Sequence, residues 1–189
     1  MKKQIRDYFE HIHSMSDADW ELFSSKLVKQ RFSKRAILID SGQVEDYLSF
    51  VEKGSIRIFS SNEEKEHTLG FVFENEFCCA YDSFLTRSPV EYRIETLTAV
   101  ELWRISYLDL QELYQTTVIG NLLGRHIAEM LFIKKARRER SLLMETAEQR
   151  YINLFLEKRQ WIKTIPLKFL ASYIGVTPQA LSRIRKRIS

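Results

Sequence analysis

Residues 167–188, Leu-Lys-Phe-Leu-Ala-Ser-Tyr-Ile-Gly-Val-Thr-Pro-Gln-Ala-Leu-Ser-Arg-Ile-Arg-Lys-Arg-Ile, constrain this chain more tightly than any other stretch. Two short helices that cross steeply need a small residue where their backbones approach, and Ala171 stands there in the first of them. The turn between them needs a residue that tolerates positive φ, which Gly175 supplies. Leu170, Ile174, Val176, Leu181 and Ile184 recur at spacings that pin both helices to a core. Thr177-Pro178 provides an N-cap and a first-turn proline for the second helix. Together these demands predict a helix-turn-helix rather than an ordinary helical hairpin.

The outward side of the second helix follows from the same spacing. Gln179, Ser182, Arg183 and Lys186 fall near one side, with Arg185 and Arg187 flanking them. Arginine bonds guanine and glutamine bonds adenine in a bidentate way, each worth roughly 1–3 kcal/mol of discrimination. Gln179 and Arg183 are therefore the expected base readers. Thr177, the first amides of the helix, Lys186 and Arg187 are placed for phosphates. The expected DNA-binding set is Thr177, Gln179, Ser182, Arg183, Arg185 and Lys186.

Charge distribution bears on the same point. The net charge of +4 hides an asymmetry: residues 134–189 hold 14 Lys+Arg against 4 Asp+Glu, leaving 15 basic and 21 acidic side chains in residues 1–133. A basic end on an acidic body suits a polyanion. A solvated basic face gives the same count, and charge alone does not separate the two.

The rest of the chain reads as a different kind of structure. Ser16 ahead of Asp17, Asp19 and Glu21 is suited to an N-cap, with Trp20, Phe23 and Leu27 as the apolar stripe of a short helix. From about Arg31 the period becomes two: residues 36–39, 47–51, 56–58, 69–73, 92–97 and 100–105 are short apolar or alternating runs with turns between them, and 60–66 is a charged loop. These predict an antiparallel β-sandwich or β-roll. Ser106 then caps a helix of about two turns, and a longer helix runs through 118–140. Its apolar stripe is wider than one packing surface requires, so one face can lie on the β domain while another meets a second copy. Ile119, Leu123, Ile127 and Met130 are the expected dimerisation residues, against the plainer reading of a core helix within one chain. Residues 145–156 and 165 onward are helical again. The class is α+β, divided as a sensor-type β domain 1–115, a dimerisation helix and hinge 116–142, and an all-α DNA-binding domain 143–189.

Several functions are disfavoured. No run approaches the roughly 18 apolar residues of a membrane span, and the N-terminus has no apolar run of signal-peptide length, so a cytoplasmic location is expected. Cys78 and Cys79 fall short of a four-ligand metal or cluster site, so neither metal nor cofactor is expected. His11, His13, His67 and His126 are scattered, without HExxH, GxSxG or P-loop spacing, and no enzymatic activity is expected.

Residues 41–59, the strand Val100-Glu-Leu-Trp-Arg-Ile-Ser106, Ala147-Glu-Gln-Arg-Tyr151 and the Leu181-Ser-Arg-Ile-Arg185 core resemble the Crp/Fnr family of bacterial transcription regulators over nearly the whole chain. The resemblance implies a cyclic-nucleotide-binding-type β-roll at the N-terminus, a long dimerisation helix and a C-terminal helix-turn-helix domain. It also implies double-stranded DNA, a second copy of the chain and RNA polymerase as partners. The operator is then an approximate palindrome, because a dimer presents two reading helices about one DNA turn apart. Gln179 and Arg183 occupy positions that read bases in relatives.

Departures from the family pattern are informative. Members that bind cyclic AMP carry Gly-Glu for the ribose and Arg-Ser or Arg-Thr for the phosphate. Here those pairs fall on Asn75-Glu76 and Val90-Glu91, while Arg87-Ser88 stands three residues early. Valine offers no donor and a carboxylate repels an anion. An effector pocket at Asn75, Glu76, Phe77, Val90 and Glu91 is thus expected to take an unknown small molecule or none, rather than cyclic AMP. Phe71, Phe73, Phe77, Tyr81, Phe84 and Tyr92 are numerous enough to close the space. The four-cysteine pattern of oxygen-sensing members is absent, and Cys78 and Cys79 are expected to be buried structural residues. The sequence ends at Ser189, so the contacts of a β-wing are not expected. The competing reading is a ligand-binding or protein-interaction module with a vestigial helix-turn-helix.

Overall fold

The computed structural model describes residues 2–61 and 65–188. Two N-terminal helices, α1 (Lys3–Glu10) and α2 (Asp17–Ser25), precede the strands β1 (Val28–Phe32), β2 (Ile37–Ile39), β3 (Tyr47–Lys53), β4 (Ile56–Ser61), β5 (Glu66–Val72) and β6 (Phe77–Cys78). A short helix α3 (Tyr81–Thr86) leads into β7 (Arg93–Thr96) and β8 (Val100–Ser106). Helices α4 (Tyr107–Thr116), α5 (Val118–Met144), α6 (Ala147–Glu157), α7 (Arg159–Thr164), α8 (Leu167–Ile174) and α9 (Pro178–Ile188) complete the chain. The expected α+β class and order of elements are therefore present. Part of the expected charged loop, residues 62–64, lies outside the described residues.

Local chemistry starts the helices where the sequence predicts. Ser16 Oγ accepts from the Asp19 N–H at 3.1 Å, and Ser106 Oγ accepts from Asp109 at the same distance. Thr146 and Gln149 form a reciprocal capping box at the start of α6. The expected longer helix continues past residue 140 to Met144.

The strands form two four-stranded sheets, ordered β1-β8-β3-β6 and β2-β7-β4-β5. In the first, β3 and β8 run antiparallel with Ser49 opposite Arg104, Phe50 opposite Trp103 and Val51 opposite Leu102. Both strands are buried on both faces because period-two alternation sends their residues to two different cores. Val51 and Leu102 point into the roll, where they join Ile39, Ile56, Val72, Cys78, Ala80, Val90, Ile94 and Val100. Phe50 points outward into an aromatic cluster with Tyr8, 5.9 Å away, and Phe77, 5.2 Å away. Phe9 and Phe23 extend that cluster along α1 and α2.

The chain divides into two compact units, residues 1–58 with 71–129, and residues 59–70 with 130–189. The second unit has its own core of Tyr151, Leu154, Trp161, Ile165, Leu170, Ala171, Ile174, Leu181 and Ile184. Within it, Ser172 Oγ of α8 accepts from the Thr68 N–H at 2.8 Å and donates to the Glu66 carbonyl at 2.7 Å. The β4–β5 segment thus belongs with the helices that follow it far along the chain, a grouping that boundaries drawn along the sequence do not describe.

Candidate nucleic-acid interface and the interior of the roll

The α8–α9 pair is built as its sequence requires. Ala171 is fully buried, so no side chain separates the two helices. Gly175 sits at φ +86°, and the Gly175 and Val176 amides both return to the Ala171 carbonyl, at 2.9 and 3.0 Å. That pattern closes the first helix with a left-handed residue and turns the chain sharply. Thr177 Oγ1 accepts from the Ala180 N–H at 3.2 Å and starts α9. Leu170, Ile174, Leu181 and Ile184 are buried, whereas Val176 is only half-buried.

Burying Leu181 and Ile184 turns the opposite side of α9 to solvent. Thr177, Gln179, Arg183, Arg185 and Lys186 are exposed, and Ser182 is half-buried. Gln179, Arg183 and Lys186 stand at i, i+4 and i+7, which is one helix face. Arg187 leans away to Glu148, with Nη2 2.7 Å from the carboxylate. The four cations of α9 meet no acidic residue on their own helix, and those in its last turn also suit the helix dipole. The structure thus brings Gln179, Arg183 and Lys186 together on one exposed face, with Ser182 half-buried between them.

Inside the roll the packing is apolar. Val72, Cys78 and Ala80 pack with Val90 and Ile94 in one apolar cluster, and Tyr92 packs against it. Of the six aromatics expected to close this space, Phe77 turns outward to Tyr8 and Phe50, and Phe84 turns to Tyr81 and Tyr107. Mostly aliphatic side chains fill it instead. The residues of the expected effector pocket are placed in different surroundings. Asn75 and Glu76 lie in a tight turn whose backbone bonds Val51, with Asn75 at φ +65°. Val90 is core, Glu91 is exposed and Phe77 belongs to the outer aromatic cluster. A surface hollow of about 570 Å³ lies elsewhere in the first unit, lined by Tyr114, Thr117, Asn121, Leu122 and Arg125 among others.

Polar residues are buried as well, Arg57, Arg104 and Glu45 among the charged ones, and sequence reasoning misses the Glu45–Arg104 pair. Glu45 is 5% exposed, and its carboxylate accepts from the amides of Tyr47 (3.0 Å) and Ala80 (3.3 Å). Arg104 Nη2 lies 3.9 Å away. That guanidinium also donates to Ser49 (3.2 Å) and Gln30 (2.8 Å) and stacks on Tyr47 at 4.0 Å. Burial pushes the Glu45 carboxyl above its ordinary range and the Arg104 guanidinium below its own. Both directions say that desolvation outweighs a pairing at this separation. Arg87 is also engaged: it donates to the Glu45 carbonyl, pairs with Asp46 and lies over Tyr107 at 4.2 Å. Cys78 and Cys79 are buried and not joined in a disulfide, and burial holds the Cys79 thiol well above its usual range.

Helix α5 revises the expected dimer contacts. Ile119, Leu123 and Ile127 are buried within the first unit and are not available to a second copy, while Met130 is half-buried. The apolar side chains that the helix leaves exposed are Val118, Phe132, Ile133, Leu142, Leu143 and Met144. Among the described residues no group of three His, Cys, Asp or Glu could hold a metal ion, and no helix is long and apolar enough to cross a membrane.

Residues 29–117 match the cyclic nucleotide-binding domain family. The CRP-like protein Clp of Xanthomonas campestris pv. campestris is 29% identical over 99 residues, or 52% of this chain. The matched part spans 43% of that relative, so the chain aligns with less than half of its length. Among solved structures, the c-di-GMP-responsive global regulator CLP of Xanthomonas campestris superposes with a TM-score of 0.69 at 21% identity, over 92% of this chain and 91% of that one. FixK2 of Bradyrhizobium japonicum superposes with a TM-score of 0.75 at 12% identity, over 86% and 84% of the two chains. These likenesses establish a shared fold.

Proposed function

We propose that the chain is a Crp/Fnr-type regulator that binds double-stranded DNA as a homodimer and regulates transcription without cyclic AMP, a reading its likeness to the CRP-like proteins supports. The observation that carries the reading is the outward side of α9. Gln179, Arg183 and Lys186 share one exposed face, and among the described residues Arg183 and Lys186 make no ion pair with their own protein. An arginine and a glutamine presented on a short helix that is anchored by Leu181 and Ile184 are a base-reading pair. Thr177, Ser182, Arg185 and Lys186 hold the phosphates around them. The second copy docks on the exposed side of α5 at Phe132 and Ile133, whose apolar surface is open in a single protomer.

The apolar packing around Val90 supports independence from cyclic AMP. Val90 stands in aliphatic packing, which offers an anion no hydrogen-bond donor. Interaction with RNA polymerase, a cytoplasmic location and the lack of enzymatic activity belong to the same reading. Selection from random duplexes tests it: the protein recovers an approximate palindrome with half-sites about one helical turn apart. Recovery of no enriched sequence would overturn the proposal.

A further inference from the structure

Only Glu145 and Thr146 stand between α5 and α6, and this elbow is bonded from several sides. Ser141 Oγ and the Asn153 amide both donate to the Glu145 carboxylate, at 2.6 and 3.2 Å. The Thr146–Gln149 capping box fixes the start of the next helix. Arg150, one turn into α6, then reaches in two directions. Its Nη1 donates to the carbonyls of Ser141 (3.3 Å), Leu142 (3.5 Å) and Glu145, at the end of α5. Its Nε donates at 2.8 Å to the carbonyl of Ile174, the last residue of α8. Nη2 lies 3.7 Å from where a Cβ on Gly175 would stand, beside the turn that launches α9. Arg138 of α5 supports the same corner by donating to the Tyr173 carbonyl and stacking on its ring at 3.7 Å.

A guanidinium is a rigid plane with donors on separate edges, and here one plane is bonded to two helix C-termini at once. Both ends carry outward carbonyls and partial negative charge, which a cation favours. We propose that Arg150 is a positioning residue that sets the separation and rotation between α5 and the recognition helix α9, and thereby the half-site spacing the homodimer accepts. The inference rests on the DNA-binding dimer proposed above. Helix α5 carries the dimer contacts, so play at the elbow moves each reading helix relative to its twin. One base pair is about 3.4 Å along the duplex and about a tenth of a turn, so small play suffices to change the accepted spacing.

Lysine cannot reproduce the fork, because it is a point charge on a flexible stem. The test uses the full chain as wild type, Arg150→Lys and Arg150→Met, with one lone half-site and duplexes carrying two half-sites at graded spacings. Arg150→Lys is expected to bind the lone half-site as the wild type does. Its preference for the best spacing over its neighbours is expected to fall by about tenfold, the scale of one charge-assisted hydrogen bond. If Arg150→Met does not fold, the lysine variant still decides. An unchanged spacing preference overturns the positioning role alone. So does a loss of half-site affinity matching the loss of preference, which marks a general stabiliser. A wild type that binds no duplex overturns this role and the DNA-binding reading together.

Discussion

Replacing Gly175 by alanine separates backbone strain from crowding in the turn ahead of α9. At φ +86° a side chain is disfavoured, yet a Cβ built there meets nothing nearer than Arg150 Nη2 at 3.7 Å, an ordinary contact. The cost is therefore conformational, about 1–2 kcal/mol for an L-residue held left-handed. Alanine also stiffens the unfolded chain, which offsets about 0.4–1 kcal/mol, so the net loss is about 1 kcal/mol. With a urea m-value of about 1–3 kcal/mol/M, the midpoint falls by roughly 0.5 M. Gly54→Ala is the contrasting case: at φ +97° its Cβ would lie 2.5 Å from the Ala99 carbonyl, 2.8 Å from Thr98 Oγ1 and 2.9 Å from Val100 Cγ1. Backbone has to move there, adding about 1–3 kcal/mol of overpacking to the same strain. Urea unfolding followed by circular dichroism measures both variants, and peptide-level hydrogen exchange locates the Gly175 effect in residues 166–188. Equal losses for the two glycines would refute the division into strain and clash, as would no loss at Gly175.

Two further outcomes concern the roll. Because burial raises the Glu45 carboxyl above its ordinary value of 4.5, the folded state holds a proton that the unfolded chain releases. That contribution is present below the ordinary value and is lost as pH rises through the raised one. Wild-type stability relative to Glu45→Gln is thus expected to decline as pH rises above that ordinary value, read as urea midpoints; a gap that is constant, or that widens in favour of wild type, would contradict the buried-acid account. Isothermal titration with cyclic AMP is expected to give no binding heat in the micromolar range, and micromolar affinity would show that the roll opens.

The features legible in the sequence were those whose cause is local. Ala171, Gly175 and Thr177 each answer a steric or hydrogen-bonding demand within a few residues, and all three are placed as that demand requires. Ser16 and Ser106 cap their helices for the same reason. Helix α3 spans six residues and α7 another six, too short for an apolar period to stand out, and β6 has two. The stripe Ile119, Leu123 and Ile127 was visible, but a period says that a face is apolar and not which surface covers it. Here the protomer covers it, and Phe132 and Ile133 are left outside. Glu45 carried no sequence signal, since its partners Ala80 and Arg104 arrive from distant strands and a helix start. Around Val90 the apolar neighbours are Ile94, Val72 and Ala80 rather than a row of phenylalanines, because alternation along a strand says which residues face inward and not which of them meet.

The central claim is that the cationic side of α9 reads DNA. On the palindrome recovered by selection, wild type and Arg183→Ala are compared by fluorescence anisotropy from about 50 to 200 mM salt, against a scrambled duplex. The account predicts a steep loss of wild-type affinity with salt, and about tenfold or more loss of site preference in the variant. Retained preference in Arg183→Ala, or wild-type binding indifferent to salt, would contradict it.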